Sequence, residues 1–182
     1  MKLTIKIPRS KNAAFALLGL SLVFTACKNE NENENGNEAI PVAGELAPIE
    51  VALDDFVADL SANPPTKADL SNRVKAYIEK QPASFFGSTV TLLDGDGLAE
   101  FSPYWYRGNG GFAMADLMDG AYHIDEQIWL RKPIDEMKSV WTEPYFDAGG
   151  GEIWMRTRSV PVVVDGKIIA VATTDLAVEE PK

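Results

Sequence analysis

The stretch WTEPYFDAGGGEIWMRTRSVPVVVDGKIIAVATTDLAV, residues 141–178, carries the clearest structural pattern in the chain. Two long strand-like segments, residues 152–164 and 167–177, flank the dipeptide Asp165-Gly166. An Asp-Gly pair between two such segments is typical of the tight turn of a β-hairpin, because both residues adopt positive φ angles easily. The sequence therefore predicts an antiparallel pair of long strands near the end of the chain.

The second of these strands is almost wholly apolar, yet it carries Asp175 near its end. A carboxylate in a buried strand costs free energy unless another group pairs with it. One interpretation is structural, with Asp175 capping the strand or pairing with Arg156 or Arg158. The other is functional, with the carboxylate kept for a positively charged ligand.

Two amphipathic helices are predicted upstream. Residues 49–60 place apolar side chains at helical spacing, and the NPP sequence at residues 63–65 ends this helix, since proline interrupts the backbone hydrogen bonds. A second helix begins near Thr66, where Asp69 completes an N-cap pair. Its apolar face consists of Leu70, Val74, Tyr77 and Ile78.

Two further strands follow the helices. Residues 85–94 and 98–107 are predicted to pair across the tight turn DGDG at residues 94–97. Pro103 indicates that the returning strand lies at an edge or bends, because proline cannot donate a backbone hydrogen bond.

The middle of the chain has a weaker pattern. The GNGG sequence at residues 108–111 predicts a flexible loop, and short helical pieces are expected around residues 114–118 and 133–138. Helices followed by antiparallel strands with a mixed insertion predict an α+β domain.

The first 26 residues are predicted to be a signal peptide. A basic segment at residues 2–11 precedes an apolar stretch at residues 13–24 that is too short to span a membrane comfortably. The sequence FTAC then places two small residues before Cys27, the only cysteine in the chain, and resembles the lipobox of bacterial lipoproteins. The alternative is an ordinary signal peptide followed by a chance cysteine.

Residues 28–38, KNENENENGNE, contain no apolar side chain and cannot contribute to a core. We therefore expect a low-complexity tether over residues 27–47, which links a lipidated Cys27 to a folded domain over residues 48–182. This organisation predicts a protein of the cell envelope, held by its lipid at the periplasmic face of a membrane or at the outer membrane.

Composition excludes several classes of function. A net charge of −10 argues against nucleic-acid binding, since phosphates would be repelled. The single histidine, His123, offers no metal-ligand spacing, and no nucleotide-binding or nucleophile motif is present, so no cofactor, metal or catalytic residue is predicted. An enzyme that uses paired carboxylates such as Glu143 and Asp147 is a minor alternative.

Aromatic residues are dense in the middle third of the chain and lie near carboxylates. Rings and carboxylates together can enclose a cation, although aromatic residues also build ordinary cores. The residues concerned are Phe101, Tyr104, Trp105, Tyr106, Phe112, Tyr122, Trp129, Trp141, Tyr145, Phe146 and Trp154.

The sequences FSPYWYR, VWTEPYFDAGGGEIWMRTRSVPV and DGKIIAVATTDLAVE, with Trp129 between the first two, resemble the extracytoplasmic Cache sensor domains. These are PAS-like modules of bacterial chemoreceptors, histidine kinases and membrane-bound phosphatases. The resemblance covers residues 48–178. It implies a long N-terminal helix, a second helix and a central antiparallel sheet of about five strands, with a small ligand on one sheet face.

The same resemblance implies a ligand-binding site. In relatives that sense amino acids, an aspartate near the end of the last strand binds the ligand ammonium, and Asp175 matches it. Tyr122, Trp129 and Tyr145 match pocket aromatics. The predicted ligand-binding residues are Tyr106, Tyr122, Trp129, Trp141, Tyr145, Asp147 and Asp175.

One departure from the relatives concerns the ligand carboxylate. Relatives that bind α-amino acids carry R-x-W-Y, whose arginine grips that carboxylate. The matching run here is QIWL, with Gln127 in place of the arginine and Leu130 in place of the tyrosine. The resemblance therefore implies a small amine or a neutral polar ligand, unless Arg107 or Arg131 supplies the missing cation.

The printed sequence carries no output domain after the last strand, so we expect a separate membrane-bound sensor protein as the signalling partner. A homodimer paired through the N-terminal helices is a further expectation from related sensors. The alternative function is a protein-interaction module whose pocket is vestigial.

Overall fold

The computed structural model describes residues 43–182, with side chains described from Leu46 onward. The predicted signal peptide over residues 1–26, the lipidated Cys27 and most of the predicted tether lie outside the described residues. The first helix begins at Ala43 and so includes the last residues of the 27–47 segment. The two N-terminal helices, α1 (Ala43–Ala62) and α2 (Lys67–Glu79), confirm the predicted pair.

The start of α2 shows how the local sequence builds the element. The backbone N–H of Thr66 donates to the Asp69 carboxylate at 2.7 Å, which satisfies a donor that the helix itself cannot satisfy. The two prolines before Thr66 separate the helices. The four residues predicted for the apolar face, Leu70, Val74, Tyr77 and Ile78, are all buried.

The remaining elements form one antiparallel sheet of eight strands with a short insertion of helices. In chain order the elements are β1 (Phe85–Leu93), β2 (Ala99–Phe101), β3 (Pro103–Gly108), β4 (Gly111–Asp116), a 3-10 helix (Ile124–Glu126), α3 (Ile128–Glu136), β5 (Val140–Trp141), β6 (Tyr145–Phe146), β7 (Trp154–Val164) and β8 (Lys167–Ala177). The strand order is β4-β3-β1-β8-β7-β5, while β2 pairs with β1 and β6 pairs with β7.

The strand count exceeds the expected five because short strands join the sheet at several points. The predicted strand over residues 98–107 is divided at Ser102 into β2 and β3, in keeping with the bend expected at Pro103. The β7–β8 hairpin is confirmed, and its turn residues Asp165 and Gly166 have φ angles of 50° and 76°. The α+β fold with a PAS-like sheet is therefore as predicted.

The predictions for residues 108–118 were wrong. Residues 108–111 form a tight hairpin turn, in which Gly108 pairs with Gly111, rather than a flexible loop. The helical piece expected at residues 114–118 is largely strand β4, because pairing with β3 satisfies its backbone groups. The helix expected at residues 133–138 exists but begins five residues earlier, as α3.

The sheet separates a core that supports the helices from a core that surrounds the candidate site. Successive residues of a strand point to opposite faces, so Trp105 faces α2, where its indole N–H donates to Ser71 Oγ at 3.0 Å. Its neighbour Tyr104 lies on the opposite face and packs in a second buried cluster with Tyr122, Trp129 and Val171. Helices α1 and α2 thus cover only one face.

We predict that Gly87→Ala destabilises the protein by about 1–3 kcal/mol, as measured by chemical denaturation. A Cβ atom at Gly87 would lie 2.6 Å from Cζ of Tyr104, which is inside van der Waals contact. Gly95→Ala is the matched control, since no atom lies within 4 Å of the added Cβ there. Equal stability of the two variants would contradict the close packing of Tyr104 on β1.

Candidate ligand-binding site

A small cavity lies on the sheet face opposite α1 and α2. Its volume is ≈10 Å³, about the space that one buried water needs. Strands supply its floor and the segment between β4 and α3 supplies its cover. The lining residues are Thr89, Tyr104, Leu117, Tyr122, Trp129, Tyr145, Asp147, Thr157, Thr173 and Asp175.

Asp175 lies at the centre of this floor on β8, and only 3% of its surface is exposed. Its partner across the β7–β8 ladder is Thr157, whose hydroxyl donates to Asp175 Oδ1 at 2.7 Å. Burial raises the pKa of Asp175 to about 7, and the Thr157 hydrogen bond only partly opposes this shift. The side chain therefore exchanges a proton near neutral pH.

Asp147 is the second buried carboxylate of the cavity, and it holds the glycine-rich loop together. It accepts a hydrogen bond from the Tyr122 hydroxyl at 2.6 Å and another from the Gly151 backbone N–H at 2.6 Å. The Trp129 indole N–H in turn donates to the Tyr122 hydroxyl at 3.1 Å. Burial raises the pKa of Asp147, and the two hydrogen bonds that it accepts work against this shift.

Neither buried acid forms an ion pair with any residue that the structure describes. The interpretation that Asp175 pairs with Arg156 or Arg158 is therefore wrong. Both arginines belong to β7 but project to the helix face, because they alternate with Thr157. Arg156 donates to the Thr142 carbonyl at 3.0 Å, and Arg158 donates to Ser139 Oγ at 2.8 Å.

The other two candidate arginines are also engaged elsewhere. Arg107 donates to the carbonyls of Phe85 and Gln81 at 2.8 and 2.7 Å, on the side of the sheet that faces α2. Arg131 donates to the Gly97 carbonyl at 3.0 Å. Within the described residues, no lysine or arginine lines the cavity.

Tyrosine hydroxyls complete the polar lining. The hydroxyls of Tyr145 and Thr157 are hydrogen-bonded at 2.8 Å, which extends the chain of hydrogen bonds that ends at Asp175. The Tyr104 hydroxyl is buried near Asp175, but the contact lacks hydrogen-bond geometry and leaves this hydroxyl unsatisfied. Burial, followed by the charge of the nearby acids, raises the pKa of Tyr104 and of Tyr145 far above 10, so both phenols stay protonated.

Five of the seven predicted ligand-binding residues converge on the cavity, namely Tyr122, Trp129, Tyr145, Asp147 and Asp175. Tyr106 does not line it, because its ring stacks on Tyr104 from the outer side at a centroid distance of 5.3 Å. Trp141 lies on the helix face, where its indole N–H donates to Glu50 of α1 at 2.9 Å. Neither residue therefore lines the cavity, and their part in ligand binding stays a prediction.

Sequence reasoning missed the residues that form the cavity floor together with Asp175. Strand alternation was the available signal, since Thr173 lies two residues before Asp175 and Tyr104 lies two residues before Tyr106. The sequence alone does not show which face of the sheet forms the cavity, because this depends on which face the helices cover. The missed lining residues are Thr89, Tyr104, Leu117, Thr157 and Thr173.

Gln127 and Leu130, the two residues at which QIWL differs from the R-x-W-Y sequence of related amino-acid sensors, both have structural roles. The Gln127 side chain donates to the Tyr122 carbonyl at 2.8 Å and so fixes the turn that carries Tyr122. Leu130 is fully buried in the cluster beneath α3. Both positions therefore support the cover of the cavity without placing a charge in it.

Residues 70–180 match the family described as methyl-accepting chemotaxis protein-like, first PDC sensor domain. The chain belongs to this family. The resemblance to extracytoplasmic Cache sensors is thus confirmed, and the expectation of a sensor domain rather than an enzyme is confirmed with it. Among the described residues, no helix is long and apolar enough to cross a membrane, and no three potential metal ligands come together.

Solved structures carry the same fold. The extracellular domain of soHK1S-Z6, described as a histidine kinase, is 27% identical with a TM-score of 0.63, covering 74% of this chain and 54% of that one. The ligand-binding domain of Pseudomonas aeruginosa PAO1 chemoreceptor PctC, in complex with GABA, is 20% identical with a TM-score of 0.51, covering 74% and 57%.

The ligand-binding domain of Campylobacter jejuni chemoreceptor Tlp3, in complex with L-valine, is 18% identical with a TM-score of 0.55, covering 74% and 53%. The chain therefore spans about half the length of these solved domains. No curated protein matches the chain significantly.

We expect Tyr122→Phe to lower the free energy of unfolding by about 1–3 kcal/mol, because the buried Asp147 carboxylate and the Trp129 indole N–H both lose their partner. Urea denaturation measures the change. Tyr106→Phe removes a hydroxyl from a half-buried ring outside the cavity and should change stability by less than about 0.5 kcal/mol. The prediction is wrong if both substitutions have the same small effect.

Proposed function

We propose that this protein is a lipid-anchored sensor domain that captures a small cationic amine in the cavity and reports it through a separate membrane-bound partner. One observation carries the proposal. Asp175 is buried within a ring-lined cavity on the sheet face, and no described residue supplies a cation to it. A carboxylate in such a place requires either a proton or a positively charged guest.

An ammonium group matches the chemistry of the lining. It carries three N–H donors, and the cavity offers the Asp175 carboxylate together with neutral hydroxyl oxygens. The rings of Tyr122, Trp129 and Tyr145 present electron-rich faces that attract a cation. Charge-assisted hydrogen bonds in a space without bulk water are stronger than the same bonds at a surface.

The ligand is an amine rather than an amino acid because the lining contains no cationic group to pair with a carboxylate. The PctC and Tlp3 structures hold GABA and L-valine, each of which carries an ammonium and a carboxylate. Here the carboxylate of such a ligand would enter a cavity with two acids and no base. Gln127, at the position of the arginine in related amino-acid sensors, donates to a backbone carbonyl instead.

Capture requires the cover of the cavity to move. A volume of ≈10 Å³ holds about one water, so an alkylamine enters only when the segment 117–127 shifts outward. This segment carries Leu117 and Tyr122 and ends at α3. The hydrogen bond between Tyr122 and Asp147 holds the segment closed, which couples ligand entry to the glycine-rich loop after Asp147.

The N-terminal segment would anchor the domain, and a separate protein would carry its signal. Cys27, after an apolar leader and a lipobox-like sequence, would carry the lipid, and the acidic tether would hold the domain away from the membrane. Cell-envelope placement agrees with a family of extracytoplasmic sensors. Binding at the sheet face would then change the surface that the domain presents to a membrane-bound signalling protein.

The nearly closed cavity favours a second candidate function. If the rings fill the site permanently, the domain is an interaction module that binds its partner without a metabolite. The two functions differ in one measurable property, because only a functional site gains stability from a small ligand.

We predict that primary amines raise the melting temperature and that their carboxylated counterparts do not. The matched pairs are methylamine and glycine, ethylamine and alanine, and isobutylamine and valine, each tested by thermal shift and calorimetric titration. Asp175→Asn should abolish amine binding, because the neutral amide gives no charge-assisted bond. Tight binding of the amino acids, or no binding by any compound, would contradict the proposal.

Gln127→Arg is the matched gain-of-function variant in the same assay. It places a guanidinium where related amino-acid sensors carry one, so the ratio of amino-acid affinity to amine affinity should rise at least about tenfold. Lys132→Gln changes the charge near α3 outside the cavity lining and serves as the control. An unchanged affinity ratio in Gln127→Arg would show that the absence of an arginine at position 127 does not explain a preference for amines.

We expect Cys27→Ser to move the protein from the membrane fraction to the soluble periplasmic fraction and to abolish labelling by an alkyne fatty acid. Serine keeps the size of the side chain but cannot form the thioether that carries the lipid. Asn31→Ala, in the tether, should leave both fractionation and labelling unchanged. Membrane retention of the labelled Cys27→Ser protein would contradict lipidation at this residue.

A further inference from the structure

The cavity brings two carboxylates into one nearly closed space without a basic side chain. Asp147 and Asp175 are 5% and 3% exposed, and both line the same ≈10 Å³ volume. Two buried negative charges that share a site repel each other strongly, so such a pair retains one proton in preference to full ionisation. Below the pKa at which this proton is lost, the ligand-free cavity therefore carries one negative charge rather than two.

The hydrogen bonds determine which acid keeps the proton. Asp147 accepts from the Tyr122 hydroxyl and from the Gly151 backbone N–H, and both donors stabilise an ionised carboxylate. Asp175 accepts one hydrogen bond of good geometry, from Thr157, although the nearby Tyr104 hydroxyl also lowers its pKa. Asp175 is slightly more buried than Asp147. Its pKa is accordingly raised to about 7, with burial as the main cause and the charge of Asp147 as a further one.

We propose that the empty site holds one proton on Asp175 and that an incoming cationic amine displaces this proton, so that the sensor reads amines and protons as competitors. The inference rests on the proposed function and adds its regulation. In the exchange the O–H bond of the Asp175 carboxyl breaks, its proton passes to solvent, and the ammonium takes its place beside the carboxylate. The charge inside the cavity stays constant throughout.

The tyrosines that face Asp175 do not ionise near neutral pH. Tyr104 of β3 and Tyr145 of β6 face it from the cavity, and Tyr77 of α2 approaches it from the other sheet face. Burial raises the pKa of all three, to about 12 for Tyr77, so none ionises below pH 9. Tyr122 also stays neutral because its pKa is raised. The negative charge of Glu152 contributes to the raised pKa of Asp147.

The competition has a definite sign. Below the pKa of Asp175 an amine must displace a proton. The apparent Kd of the amine therefore rises about tenfold for each unit by which the pH falls. Above the pKa the carboxylate is already ionised, and the Kd becomes independent of pH. Alkylamines have pKa values close to that of lysine, about 10.4, so the ligand itself does not titrate between pH 5 and pH 8.

The liganded experiment is calorimetric titration of methylamine, ethylamine and isobutylamine at pH 6, 7 and 8, each in two buffers with different ionisation enthalpies. We expect about 0.9 proton released per bound amine at pH 6 and about 0.1 at pH 8. The Kd should be about tenfold higher at pH 6 than at pH 8. An affinity without pH dependence, or binding without proton release, would overturn the exchange.

A second experiment uses the protein without ligand, so its result does not depend on the choice of amine. The carboxyl carbon of Asp175 is followed by NMR from pH 4 to pH 9, and its signal is assigned by its loss in Asp175→Asn. We expect a midpoint near 7, and a midpoint below 5 would overturn the inference. If no amine binds but the midpoint stays near 7, the proposed function fails while the buried proton remains.

Two further readouts separate this exchange from a merely structural role. Since the folded-state pKa of Asp175 lies above the unfolded value of about 3.9, the folded protein binds the extra proton. Its free energy of unfolding should therefore fall as pH rises from about 4 to about 7, and Asp175→Asn should reduce this slope. Thr157→Val removes the hydrogen bond to the ionised carboxylate and should shift the NMR midpoint to higher pH.

Discussion

The hydrogen bond from Thr157 to Asp175 across β7 and β8 is the constraint on which the site depends. It exists because the pairing of the two strands, which starts at the Asp165-Gly166 turn, shifts by one residue between Val162 and Val163 and from there places Thr157 opposite Asp175. Side chains alternate along a strand, so a slip of β7 by one residue would bring one of its arginines to the cavity face in place of Thr157. The turn and this register shift together therefore determine which side chains reach a site that lies about ten residues away.

The two faces of the sheet have different roles: one packs against the helices, and the other forms the cavity. On one face, α1 and α2 cover a core of aliphatic and aromatic residues, and the arginines of β7 donate to a carbonyl and a hydroxyl there. On the other face, aromatic rings and two acids enclose a cavity that has no cation of its own among the described residues. This separation leaves the acids uncompensated, and that is the property a receptor for a positively charged ligand requires. Membership in a family of sensor domains agrees with this arrangement.

The sequence predictions were accurate for features that depend on local interactions and less accurate for features that depend on contacts between distant parts of the chain. The Thr66–Asp69 cap, the apolar face of α2 and the β7–β8 hairpin are local, and the structure confirms all three. Strand β4 was missed because its sequence has little strand pattern of its own and gains its conformation from pairing with β3. Among the residues of the cavity, Asp175 and three aromatic residues were expected from the family resemblance, whereas Tyr104 and the threonines of the floor were not.

The sequence alone determined the α+β class, the long hairpin with an acid near its end and the absence of an arginine at position 127. These features follow from residue type and short-range spacing, which the chain carries wherever it folds. Only the tertiary structure decided which side chains share the cavity. It moved Trp141 to α1, stacked Tyr106 outside Tyr104, turned Arg156 and Arg158 away, and joined Asp147 to Tyr122. The reason is physical: the face on which a strand residue lies has no meaning until another layer covers one side of the sheet.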